Sequence, residues 1–408
     1  MKNKLVMNTA MLYIMNIAKL VFPFMTLPYL TRVLSVEGYA VVSYVKSVMQ
    51  YMQLTVDFGF MLSATSAIVS VYGDGRKIGK IVSNTILAKL MLSVVSFAAL
   101  VVMTVSIELL RQNSMYVLLS FVTVALSSFL VDYLFRGLEQ MQEVTFRFVT
   151  MRGIATALTF LLVRSDADLL WIPVLDIIGT LAALVLVWAR IHKYDVQLCM
   201  PSIREAWNHL RESFRYFVSD IATTAFGALN TLLIGILLPT AQIALWSVAM
   251  QIISAVQLMF NPITNGIYPE MVRSRSLGLL KKVCKIFIPV LVVGCIALYF
   301  LSELAILIVS GEKYLEAVPL LRLLIPVLLF SFPAMLFGWP ALGAVGRVKE
   351  TTATTVISAV LQCAGLTLLM AVDRFTLVNI ALLRCATEAV LLTCRLGFCL
   401  YFRKDYNP

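Results

Sequence analysis

Hydrophobic positions in this chain run in long blocks separated by short polar breaks. Twelve blocks stand out, near 8–31, 39–69, 81–106, 115–137, 146–164, 171–190, 214–238, 241–269, 284–309, 317–345, 350–371 and 376–402. A bilayer core of about 30 Å takes roughly 20 apolar residues per helical span. Runs of this length exceed ordinary strands, and a helix satisfies its own backbone inside lipid. The pattern predicts an all-α polytopic membrane protein of about twelve transmembrane helices. The first block starts basic and turns apolar, like a signal peptide. It is too long for one, holds Pro23 and Pro28 and lacks a small-x-small cleavage site, so it reads as an uncleaved first span.

Shifting the first half by 204 residues lays its six blocks onto the six of the second half. Six helices per half give both halves the same orientation, as in parallel repeats. The expected lobes are 1–190 and 214–408, joined by a cytoplasmic loop, 191–213. In that loop Ser202 and Glu205 have the spacing of a capping box. Ile203, Trp207, Leu210, Phe214 and Phe217 follow at helical spacing, which predicts an amphipathic helix at the membrane interface leading into the seventh span.

Polar positions inside the blocks are few and patterned. Ser43, Lys46, Gln50, Gln53 and Asp57 recur at three- and four-residue steps, one stripe along the second helix. Asn16, Lys19, Pro23 and Thr26 share a face of the first. The 204-residue shift carries these onto Asp220, Thr223, Gly227 and Asn230, and onto Ser247, Met250, Ser254, Gln257 and Asn261. Ionisable groups at membrane depth are retained where they face protein or water. The four faces predict a central cavity between the lobes, lined by Asn16, Lys19, Lys46, Gln50, Gln53, Asn230, Gln257 and Asn261. Lys19 and Lys46 make it cationic on one side and suited to an anion such as a phosphate. Asp57 and Asp220 are candidate proton- or cation-coupling groups, and Arg32 a candidate gate or interface anchor. Bends are expected at Pro23, Pro28, Gly227 and Pro239. Asp132 with Arg136, and Arg384 with Glu388, have the i,i+4 spacing of ion pairs, and Lys89 is expected to snorkel inward.

Composition agrees. The 408 residues are 60% hydrophobic and 13% charged, with mean hydropathy +0.90, whereas soluble domains carry about 25% charged residues. The net charge of +11 raises nucleic acid as a partner, but its distribution argues against it. With a cytoplasmic N-terminus, 22 Lys and Arg fall inside and 6 outside, the positive-inside pattern. Both termini are therefore expected in the cytoplasm and no nucleic acid is expected. The two histidines, His192 and His209, lie in the connecting loop, no Walker-type glycine loop occurs, and no Cys-x-x-Cys pair is present. The sequence predicts no metal, no cofactor and no enzymatic centre.

Four motifs then carry a resemblance. Leu27–Gly38, LPYLTRVLSVEG, is similar to the LPYLSRVLGPEGYG signature of Wzx-type O-antigen and polysaccharide repeat-unit flippases. VDFGF at 56–60, LSATSAI at 62–68 and FRGLEQMQEVTF at 135–146 extend the match, and length and span count agree over the whole chain. Ser35 and Ala40 stand where that family usually has glycine. The resemblance is to the flippase branch of the multidrug/oligosaccharidyl-lipid/polysaccharide exporter superfamily. It implies a two-lobed, V-shaped transporter in the bacterial cytoplasmic membrane. Such a transporter passes undecaprenyl-diphosphate-linked oligosaccharide to the outer leaflet by alternating access, for surface polysaccharide synthesis. Membrane lipids, the lipid-linked oligosaccharide, and a polysaccharide polymerase with its chain-length regulator are the partners it implies. A cation-coupled multidrug exporter of the same superfamily, using Asp57 or Asp220, is the alternative. A membrane polysaccharide polymerase or glycosyltransferase is a third reading, set against external loops no longer than about a dozen residues.

Overall fold

The computed structural model describes residues 2–406, and the side chains of all of these except 2–6, 9, 219 and 222–227. Thr223 and Gly227 thus lie outside the described side chains. The described chain is helical, with no strand. Eleven of its segments are long and apolar enough to cross a membrane, and a twelfth apolar stretch, Ala228–Leu237, ends a longer helix. The protein is a multi-pass membrane protein. Its chain divides into two compact units, residues 1–224 and 225–408.

The first unit begins with α1 (Lys2–Val33), α2 (Val36–Asp57), α3 (Phe60–Ser70) and α4 (Gly75–Ser106). A short α5 (Glu108–Gln112) leads to α6 (Ser114–Leu126) and α7 (Asp132–Gly137). Then come α8 (Met141–Leu162), α9 (Trp171–Ile191) and α10 (Ile203–Leu237), whose last turns belong to the second unit. Its packing is led by α8 against α9 and α1, α3 against α7, and α2 against α4 and α6. Phe60, Ile68, Val82, Tyr133, Leu134 and Phe135 centre its core. Outward faces stay apolar: Val94, Val95, Val102 and Val105 of α4 are 59–70% exposed. Lipid is the solvent such a face suits.

Local chemistry explains the family-like motifs. Ser35 caps α2, its hydroxyl accepting from the Gly38 N–H at 2.9 Å, while its own N–H donates to Asp166 at 2.9 Å. In VDFGF the second span breaks. Phe58 (φ 41°) and Gly59 (φ 75°) are both left-handed and separate α2 from α3. A Cβ on Gly59 would lie 2.6 Å from Tyr216 Cβ and 2.8 Å from Phe217 N, because α10 crosses there. Phe58 stacks on Phe217 with ring centroids 4.2 Å apart.

The connecting segment is fastened to α3 and α4. Gln197 N–H donates to Gly75 O at 3.1 Å, and Ser63 and Ser213 hydroxyls meet at 2.6 Å. The expected capping box does not close on itself. Asn84 of α4 stands between its ends, accepting from the Ser202 N–H at 2.8 Å and donating to Glu205 at 2.6 Å. Glu205 also pairs with Lys80 at 2.6 Å. The Lys80 hydrogen bond, above all, holds the Glu205 carboxyl below its ordinary range. The predicted amphipathic stripe splits. Leu210 packs inward with Ala206, while Ile203, Trp207 and Phe214 are 52–71% exposed.

The second unit continues with α11 (Thr240–Leu258), α12 (Asn261–Ser274), α13 (Leu277–Phe300) and α14 (Ser302–Ser310). It ends with α15 (Val318–Leu336), α16 (Val348–Ala371) and α17 (Leu377–Tyr401). Here α15 is the centre, packed by α17, α11 and α13. Beyond α15 the chain passes through a wide π-type turn, 337–343, kinked at Gly338 (ψ −112°). Arg395 of α17 fills the kink. It donates to Ala334 O at 2.6 Å, Thr354 Oγ1 at 3.2 Å and Thr355 Oγ1 at 3.1 Å. A carbonyl released by a helix break inside a membrane needs a donor, and this guanidinium is one.

Several expectations change. α1 stays helical through Pro23 and Pro28, and Pro239 lies between α10 and α11 at the N-cap of α11. Among the described residues, spans are broken at Phe58–Gly59, between α6 and α7, at Met259–Phe260 between α11 and α12, and at Gly338. Lys89 does not snorkel. It is 5% exposed and pairs with Asp57 at 2.8 Å. Asp132 pairs with Arg147 of α8, which packs against α7, and not with Arg136 one turn along. Arg384 and Glu388 do pair, at 2.9 Å.

Candidate functional site

In the first unit several charged side chains within the membrane-length segments form matched pairs, with cations left over. Asp57 accepts from Lys89 and from Gln53, both at 2.8 Å, and Gln53 also donates to Ser127 at 3.0 Å. Asp132 is taken by Arg147, Asp176 by Arg152 at 3.2 Å, and Glu143 by Arg190 at 2.8 Å. Lys19 and Lys46 have exposed side chains and no ion pair among the described residues. Each sits beside one of the matched pairs. Lys19, with its ammonium 5.8 Å from the Phe148 ring centroid, lies in the field of Asp132, Arg147 and Arg136. Lys46 lies in the field of Arg152 and Asp176.

The result is two cationic stations. In one, Lys19 shares the field of the Asp132–Arg147 pair with Arg136; in the other, Lys46 feels the Asp176–Arg152 pair. The three arginines were not among the sequence candidates. Arg136 lies in α7 and Arg147 and Arg152 lie within α8, both parts of membrane-length segments. The available signal was their place inside hydrophobic blocks. Basic residues near a block's end look like loop residues unless the helix boundary is known.

The remaining first-unit candidates divide. Asn16 and Gln50 are exposed, whereas Gln53 is held in the Asp57 network. Asp220 of α10 is half-buried and lies in the field of Asp57. Arg32 is exposed near the end of α1, its guanidinium 3.5 Å from Pro28 O.

In the second unit Gln257 and Asn261 come together. With Ser254, Leu258, Ser331, Met335 and Glu388 they line a recess of about 350 Å³. Asn230 lies elsewhere: it is 1% exposed and accepts from Gln362 at 2.9 Å, and Gln362 accepts from Thr387 at 2.8 Å. That chain of amide, amide and hydroxyl ties α10, α16 and α17 together. Ser331 and Glu388 were not foreseen as lining residues. Glu388 pairs with Arg384, which is absent from the recess lining.

Residues 5–275 match the family described as "Polysaccharide biosynthesis protein". A Shigella dysenteriae protein named "Putative O-antigen transporter" is 26% identical over 314 residues, 75% of this chain and 78% of the relative. An Escherichia coli (strain K12) protein of the same name is 25% identical over 285 residues, 69% of this chain and 68% of that one. Among solved structures, the lipid II flippase MurJ in an inward closed conformation aligns over 98% of this chain and 89% of its own, with TM-score 0.71 and 14% identity. An inward-facing multidrug resistance transporter of the MATE family and MOP superfamily aligns over 96% of this chain and 94% of its own, with TM-score 0.66 and 14% identity. The two structures share the fold, and the match over 5–275 settles the family: this chain belongs to the polysaccharide biosynthesis protein family.

Proposed function

We propose that this chain is a flippase that moves undecaprenyl-diphosphate-linked oligosaccharide repeat units across the bacterial cytoplasmic membrane by alternating access, with both termini in the cytoplasm. The observation that carries the reading is the cation surplus of the first unit. Four carboxylates, Asp57, Asp132, Glu143 and Asp176, are each paired, and Lys19 and Lys46 remain. An unmatched cation at membrane depth is costly and is retained where an anion visits. A diphosphate is such an anion, and a lysine meets it as a compact charge with adaptable donors. The O-antigen transporter relatives support this substrate class.

A hydrogen bond to a charged group is worth about 1.5–3 kcal/mol, which is roughly ten- to a hundredfold in affinity. Lys46→Ala should therefore cut surface-polymer export by at least about tenfold in cells lacking the native gene, while Lys46→Arg, which keeps the charge, retains most of it. The cells should accumulate lipid-linked units in the inner leaflet. A Lys46→Ala protein that is correctly inserted and exports polymer at the wild-type rate would remove the charge from the mechanism.

A further inference from the structure

We propose that the recess of the second unit is a sugar subsite that takes an uncharged sugar residue and disfavours an acidic one. The proposal rests on the flippase reading above and adds a place and a selectivity to it. The recess, at about 350 Å³, is too large for a lone cation and falls at the low end of small-molecule sites, about 300–1,000 Å³. Its polar groups are two amides, Gln257 and Asn261, two hydroxyls, Ser254 and Ser331, and one carboxylate, Glu388. Among the described residues no Lys or Arg lines it. This is a set for hydroxyls and acetamido groups: amides donate and accept, and a carboxylate accepts from hydroxyls.

Glu388 gives the recess its sign. It is 5% exposed, and its carboxylate is held at 2.9 Å by Arg384, itself 7% exposed and absent from the lining. The recess is therefore lined by the acidic member of a buried ion pair and not by its basic member. A neutral sugar gains an acceptor there. A sugar carboxylate meets a like charge in a poorly screened setting.

The test uses full-length protein in nanodiscs and three probes: undecaprenyl diphosphate, the same lipid bearing N-acetylglucosamine, and the same lipid bearing glucuronic acid. The wild-type protein should bind the neutral glycolipid about tenfold or more tightly than the acidic one. Glu388→Gln, which keeps the shape, should shrink that ratio below about threefold. Asn261→Ala and Gln257→Ala, at half-buried positions, should weaken the neutral glycolipid while leaving bare undecaprenyl diphosphate unchanged. Unaltered ratios in all three variants overturn the subsite and leave the flippase reading standing. A wild-type protein that binds none of the three lipids overturns both.

Discussion

The join between α2 and α3 makes the sharpest structural prediction. At Gly59 two penalties coincide. Its φ of 75° is a left-handed conformation that costs an L-residue about 1–2 kcal/mol. Its missing Cβ is also where α10 passes: a methyl there would lie 2.6 Å from Tyr216 Cβ, 2.8 Å from Phe217 N and 3.0 Å from Tyr216 C. Two of those three atoms are backbone and cannot swing away. Overpacking of this kind costs about 1–3 kcal/mol. Gly59→Ala should thus lose about 2–5 kcal/mol in all. Gly73 supplies the control, because its φ is 92° but nothing lies within 4 Å of its would-be Cβ. Gly73→Ala should show the backbone penalty alone, about 1–2 kcal/mol. The assay is thermal inactivation of purified protein in nanodiscs at one fixed scan rate, since unfolding of such chains is usually irreversible. Gly59→Ala should melt several degrees below Gly73→Ala. Equal midpoints would refute the close crossing of α10 over the break.

Two further outcomes follow from the same geometry. Arg395→Leu removes the donors to Ala334 O, Thr354 and Thr355 at the kink; the two hydroxyls keep their bonds to Thr351 O, but the Ala334 carbonyl loses this donor at a cost of about 1–3 kcal/mol, so inactivation should come earlier, and Arg395→Lys should recover only part of it. The fastening of the connecting segment should depend on pH: the Glu205 carboxyl is held below its ordinary range by Lys80, so its contribution is complete at neutral pH and is lost only as pH falls through that depressed value. Hydrogen-exchange protection factors of the amides in 197–206, corrected for the intrinsic pH dependence of exchange, should be high at pH 7, lower in Glu205→Gln at the same pH, and constant between pH 6 and 8; equal protection in the variant would contradict the role given to this pair.

How much of this was legible in the sequence depends on the range of the forces involved. Span order was legible because each helix carries its lipid face in its own residues, as Val94 to Val105 do on α4. The capping spacing at Ser202 and Glu205 placed the start of α10 correctly. The breaks were not legible. Pro23 and Pro28 look like breakers and α1 absorbs both, whereas Ser127 to Val131 contains neither Gly nor Pro and yet parts α6 from α7. Pairings were legible only along one helix. Arg384 and Glu388 satisfy each other one turn apart, but Lys89 finds Asp57 from a different helix, and Arg147 displaces Arg136 at Asp132 in the same way. Sequence spacing sees neighbours on one rod, and tertiary packing offers better ones.

That displacement also bears on what the polar stripe of α2 means. As a sequence pattern it is five equivalent polar positions. In the folded unit they part company by what faces them. Asp57 and Gln53 are absorbed by Lys89 and Ser127, and so hold the join where α2 gives way to α3. Ser43 is buried at 9% exposure. Lys46 and Gln50, nearer the start of the helix, stay exposed. Burial of an ion pair is tolerated because the charges cancel, and it says little about function. A lysine that stays uncancelled beside an arginine has no structural account of that kind. Lys46 is therefore the position in the stripe where loss of charge should change transport more than stability, and Asp57 the position where it should do the reverse.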